Sequence, residues 1–215
     1  MYAPSHFDEP RLPVLHELMQ RHPFAVIVAQ TPNGLEANHV PLILDATRGS
    51  FGTLRGHIAR ANSMWQDVAA GAEVLAIFHG VNHYISPQWY PSKKEHGKVV
   101  PTWNYVIVHV HGGIQWFHDP VWLRSLLEAL TGRHERAFQT PWHVSDAPDE
   151  YVQRMLGAIV GFEIPISRIT GKWKLSQNRD QADRAGVTSA LAEQPDAAAH
   201  EMAALIERAG PKRGG

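Results

Sequence analysis

Residues 100–112 read VPTWNYVIVHVHG, and this run constrains the fold more than any other part of the chain. Successive side chains of a β-strand point to opposite faces. Val106, Val108 and Val110 therefore share one face, and Trp103, Tyr105, Ile107, His109 and His111 share the other. A valine face suits the interior of a small barrel. The second face is large, aromatic and partly polar, which suits an interface or the wall of a ligand pocket better than open water. His109 and His111 have the His-x-His spacing of some metal sites, but no carboxylate follows before Asp119. Packing at a subunit or helix interface is the reading this spacing favours.

The surrounding sequence supplies more short strands. FAVIVAQ (24–30) and LEANHVPLIL (35–44) flank the turn signal TPNG and form a hairpin, with Pro41 placing the second strand at an edge or bulge. GSFGTLRGHI, AEVLAIFHG (72–80), HYISPQWY (83–90) and GFEIPISRI (161–169) follow the same short, β-branched pattern. Six or seven closely spaced strands without βαβ alternation predict a mainly β (α+β) domain, a small barrel with helices packed outside it.

Helical spacing is expected over PRLPVLHELMQRHP, over ARANSMWQDVAAG ending at Gly71, and from Asp119–Pro120 onward. Another helix is expected to start at Asp146 or Ala147, with Tyr151, Met155 and Ile159 inward. From about Asn178 the composition shifts to Ala, Gln, Asp, Glu and Arg. We read 1–178 as the main domain and 179–215 as a helical extension. In it PDAAAHEMAALIER forms a helix capped by Asp196 with a Met202, Leu205, Ile206 seam, and PKRGG is a disordered end.

Twenty basic against 21 acidic side chains provide no global positive field for nucleic acid or anionic membranes. No apolar run approaches the ~18 residues of a membrane span, and MYAPSHFDEP lacks the features of a signal peptide. A cytoplasmic protein without membrane contact is expected. The absence of cysteine excludes disulfides, thiolate catalysis and thiolate metal sites. No GxGxxG, Walker, HExxH or GxSxG pattern occurs, so no catalytic residue is assigned.

Two stretches carry binding chemistry. GTLRGHIARAN places Arg60 and Asn62 at an expected helix start, where backbone N–H groups, a guanidinium and an amide can meet one anion. GKWKLSQNR (171–179) brackets Trp173 with Lys172 and Lys174. Residues 168–184 hold five basic side chains against two acidic ones, a local surplus suited to a phosphate.

MYAPSHF, ANHVPL, GHIARAN, YISPQWYPSK, VPTWNYVIVHVHG and GKWKLSQNR occur in this order. Together they make the chain resemble the PaiB family of FMN-binding negative transcriptional regulators, over residues 1 to about 190. The resemblance implies a flavin-binding split β-barrel like that of pyridoxamine-phosphate oxidases, working as a homodimer with FMN in the groove between subunits. Asn38, His39, Val40, His57, Arg60 and Asn62 become candidates for the phosphate and ribityl side. Ser86, Trp103 and Asn104 become candidates near the isoalloxazine ring, with Lys174, Ser176 and Gln177 completing the site. Ser63 and Met64 stand where related chains often carry proline. DNA is a further candidate partner, although no helix-turn-helix is visible. The alternatives are an FMN-dependent oxidoreductase on an unknown small molecule, which this fold permits, and a histidine-based metal or haem binder.

Overall fold

The structure is a computed structural model that describes residues 1–210; the expected disorder of PKRGG falls outside the described residues. In chain order the elements are α1 (Leu12–Arg21), β1 (Phe24–Thr31), β2 (Gly34–Pro41), β3 (Ile43–Asp45), β4 (Thr53–Ala59), α2 (Met64–Asp67) and β5 (Glu73–Ile85). Then come α3 (Ser92–His96), β6 (Thr102–Gly113), β7 (Gln115–Phe117), α4 (Pro120–Glu135), α5 (Asp149–Gly157), β8 (Ile159–Lys174), α6 (Gln181–Ala192) and α7 (Ala197–Ala209). The strands pair in the order β2-β1-β5-β6-β8-β4-β3, with β7 added on β8. It is an antiparallel split-barrel sheet with helices at its periphery, and it is not closed.

The opening run is β6. Val106, Val108 and Val110 are buried, while Tyr105, Ile107, His109 and His111 are half-buried, as two-residue alternation demands. The β1–β2 hairpin closes through Pro32 and Asn33. Thr31 Oγ1 donates to the Gly34 carbonyl at 2.9 Å, and Gly34 takes φ +113°. β2 ends at Pro41 and is the last strand of the sheet order, where a residue without an N–H costs least.

The residues group into two compact units. Among the described residues one comprises 1–18, 79–108 and 170–210, the other 19–78 and 109–169. Within the second unit, β1 pairs β5 with Val26 opposite Ile77, and β4 pairs β8 with Arg55 opposite Glu163. Glu163 is 6% exposed. It takes a bidentate pair from Arg48 at 2.5 and 2.8 Å and lies 3.4 Å from Arg55 Nε. Gly161 lets Trp122 lie on β8: a Cβ there would stand 2.2 Å from the indole. Leu123, Val144, Val152 and Leu156 form a small core under α4 and α5.

In the first unit, α6 and α7 bury Val187, Leu191, Ala199, Met202 and Ile206. The Asp196 side chain accepts from the Ala199 N–H at 2.8 Å, the cap expected for α7. Residues 179–210 share a compact unit with 79–108.

Four expectations change. The helix predicted over 59–71 shrinks to four residues because the Asn62 carboxamide accepts from the Met64 N–H at 2.9 Å, a local turn that competes with helix. α5 starts at Asp149 and turns Val152 and Leu156 inward, leaving Tyr151 and Met155 47% and 42% exposed. Two apolar rows one residue apart were available, and the one meeting Leu123 packs. The two strands predicted over 72–80 and 83–90 are one strand, β5, and the late strand runs on to Lys174.

Candidate functional site

In the first unit, the alternation of β8 puts Lys172 and Lys174 on one face, with Trp173 opposite. Lys172 is 9% exposed, and its Nζ lies 5.6 Å from the Tyr2 ring and 5.2 Å from the Tyr105 ring. Lys174 Nζ donates to Thr102 Oγ1. Arg179, in the turn after β8, sets its guanidinium 4.6 Å from the Tyr90 ring. These cations are positioned by π faces and a hydroxyl, which hold a charge in place without neutralising it. Among the described residues none of the three forms an ion pair with a carboxylate. Burial lowers the pKa of Lys174, and Lys172 and Arg179 lower it further.

Asn104 lies on the buried face of β6, opposite Tyr105, and is 1% exposed. Its Nδ2 donates to Ser176 Oγ at 2.9 Å, while its Oδ1 is buried without a partner among the described residues. A buried carbonyl left unpaired costs free energy, so this oxygen is an acceptor ready for a donor. Ser176 holds φ +61°, a left-handed backbone uncommon outside glycine. Gln177 maintains that turn, donating to the Trp173 carbonyl at 2.6 Å and accepting from the Leu175 N–H at 2.7 Å. Trp103 is adjacent to Asn104 but points to the opposite face, 53% exposed and edge-on to Tyr84 at 6.0 Å. Trp103 and Asn104 therefore do not line one surface of their own strand. Ser86 caps the turn Pro87–Trp89 by accepting from the Gln88 N–H at 3.2 Å.

The other candidates lie in the second unit. Asn62 donates to Asn38 Oδ1 at 2.5 Å, and Asn38 donates to Glu36 at 3.2 Å and to Met64 Sδ at 3.4 Å, which pins β2 to the turn before α2. Arg60 donates to the Gly157 and Ile159 carbonyls at 2.7 and 2.8 Å, and its third nitrogen lies 3.3 Å from His118 Nδ1. Its guanidinium ties the end of β4 to the start of β8. Val40 is buried, and His39 lies 6.3 Å from Phe24. His57 has a pKa lowered by burial and an Nδ1 without a partner among the described residues. His111 Nδ1 meets Glu73 at 3.0 Å.

Asn104, Lys174, Ser176 and Gln177 are thus gathered in one unit, and Asn38 with Asn62 in the other. Lys172, Lys174 and Arg179 belong to the basic stretch that the sequence marks as suited to a phosphate, and K-W-K on a strand puts two ammonium groups on one face; nothing in the sequence singles out Tyr2 and Tyr90 as their partners.

The family model described as "Putative FMN-binding domain" matches residues 1–168. An uncharacterised protein from Emericella nidulans is 32% identical over 88% of this chain and 89% of its own. "Protease synthase and sporulation protein PAI 2" from Bacillus subtilis is 29% identical over 96% of this chain and 97% of its own. Among solved structures, an FAD- and haem-binding protein from Mycobacterium smegmatis superposes with a TM-score of 0.56 at 14% identity, covering 78% of this chain and 73% of that one.

Proposed function

The chain belongs to the FMN-binding family that includes PaiB, and from that premise we propose that it works as a homodimeric flavoprotein of negative-regulator type, with FMN phosphate held at Lys172, Lys174 and Arg179. The observation that carries this reading is the set of three cations without a carboxylate partner. A phosphate monoester is the group such a site fits, because it accepts several charge-assisted hydrogen bonds at once. The unpaired Oδ1 of Asn104 suits a flavin or ribityl donor, so the residues present fit the cofactor at both a charged and a neutral point. Bound FMN supplies reversible hydride or electron transfer through its ring. The protein's part is to orient the cofactor, screen it from water and set its hydrogen bonding.

The homodimer is supported by the outer face of β2, β1 and β5 in the second unit. Val26, Val28, Leu75 and Ile77 form an apolar row there, and Leu35 and Phe24 are 76% and 65% exposed. A contiguous apolar face of this kind calls for cover by protein. A near-neutral chain is a poor direct DNA binder, so regulation through the flavin state or a further partner is the form we favour. Among the described residues no helix is long and apolar enough to cross a membrane.

The test is the absorption spectrum of the purified protein followed by FMN titration of the stripped form. Micromolar or tighter binding is expected, and a folded dimer that binds no FMN would sink the assignment. Mobility-shift titrations over a range of salt decide direct DNA binding: no specific complex at low salt makes the regulation indirect. Flavin reduced by NAD(P)H and reoxidised by an acceptor would move the protein to the oxidoreductase class.

A further inference from the structure

Arg179 owes its place to a buried contact that does not touch the cation itself. Asp183 sits one helical turn after Arg179, in the first turn of α6, and is 2% exposed. One carboxylate oxygen accepts from the Ser92 N–H at 3.1 Å and the other from Ser92 Oγ at 2.8 Å. Ser92 stands two residues after Tyr90, the residue whose ring carries the Arg179 guanidinium. A single buried carboxylate thus joins the segment bearing the ring to the segment bearing the cation. Two further contacts keep α6 from sliding. Gly186 lies so close to the Trp89 carbonyl that a Cβ would stand 2.2 Å from it, and Arg184, 9% exposed, donates to the Ile206 carbonyl of α7 at 2.6 Å.

Resting on the flavin reading above, we propose that Asp183, acting through Ser92, is the positioning residue that holds Arg179 on Tyr90 and so makes the site select phosphorylated over unphosphorylated flavin. A carboxylate accepts from both Ser92 donors with its full charge; a carboxamide would accept from the N–H but have to donate to Oγ, so both bonds lose their charge assistance.

The experiment titrates stripped wild-type protein, Asp183→Asn and Ser92→Ala with FMN and with riboflavin, following flavin fluorescence, with thermal melts run alongside. In Asp183→Asn the FMN dissociation constant rises about tenfold while that for riboflavin stays within about twofold. Ser92→Ala moves the ratio the same way by less. Equal weakening of both flavins, or an unchanged FMN constant, in folded protein would overturn the positioning role. If Asp183→Asn fails to fold, the ratio in Ser92→Ala decides. If wild-type protein binds neither flavin, the cofactor reading falls and this role with it; if it binds FMN and both variants keep the wild-type ratio, only the positioning role falls.

Discussion

Replacing Lys174 by methionine should move stability and cofactor binding in opposite directions, which a merely structural lysine would not do. Lys174 is desolvated and repelled by Lys172 and Arg179, so removing its charge relieves that desolvation and repulsion in the stripped protein. The lost hydrogen bond to Thr102 offsets this by only about 0.5–1.5 kcal/mol, and the melting temperature of the stripped protein should not fall. Binding should fall sharply. One charge-assisted hydrogen bond to phosphate contributes about 1.5–3 kcal/mol, a loss of roughly 10- to 150-fold in affinity. FMN at about 100 times its dissociation constant stabilises wild-type protein by about 2.7 kcal/mol, or about 5–10 °C for a chain of this size. If the variant binds about 30-fold more weakly, the same FMN concentration is only about three times the constant and stabilises by about 0.8 kcal/mol, a shift of about 2–3 °C. Riboflavin should shift both proteins equally. Differential scanning fluorimetry with and without each flavin reads all four quantities. A variant whose FMN shift matches wild type, or which loses riboflavin as strongly as FMN, would refute the assignment of the phosphate to this cluster.

The remaining predictions draw on other parts of the molecule. The lowered pKa of Lys174 means that, between its folded value and the ordinary 10.5, the unfolded chain binds the extra proton; stripped-protein stability from this group therefore rises with pH through that window. FMN binding there should take up a proton, measurable by calorimetry in buffers of different ionisation enthalpy, and Lys174→Met should abolish the uptake. Glu163→Gln leaves Arg55 facing a neutral amide in a largely buried setting and should cost about 2–3 kcal/mol, about 5–10 °C in melting temperature; a change under about 2 °C would show the cluster to be energetically idle. Ile77→Arg puts a charge into the apolar row of β1 and β5 and should yield a folded monomer in sedimentation velocity. An unchanged mass would place the subunit contact elsewhere.

Most of the sheet was legible because a strand states its two faces locally: the valines of β6 are buried and the residues between them are not, as alternation alone requires. Where the reading slipped, a second local signal competed. Asn62 can cap a turn as well as begin a helix, and α5 carries two apolar rows whose choice depends on packing against Leu123, distant in sequence. The site divides in the same way. K-W-K on a strand announces two lysines on one face, whereas nothing near Arg179 announces Tyr90. The two segments that carry the pair are joined by Asp183 and Ser92, 91 residues apart in sequence. Arg60 shows the converse, a cation that reads as an anion ligand and whose donors instead hold two backbone carbonyls.

The position of β8 has a consequence for how the chain comes to be folded. In sheet order it lies between β6 and β4, yet in sequence it is the last strand, ending at Lys174. Until it has been synthesised, β4 and the outer side of β6 present unpaired backbone edges with apolar faces, and the sheet stays in two pieces, β2–β1–β5–β6 and β3–β4, with nothing to join them. Such a chain must close long loops late, which slows folding and lengthens its exposure to wrong partners. A nascent or truncated chain lacking β8 therefore forfeits the middle of its sheet rather than its margin, and aggregation or chaperone capture is its expected fate.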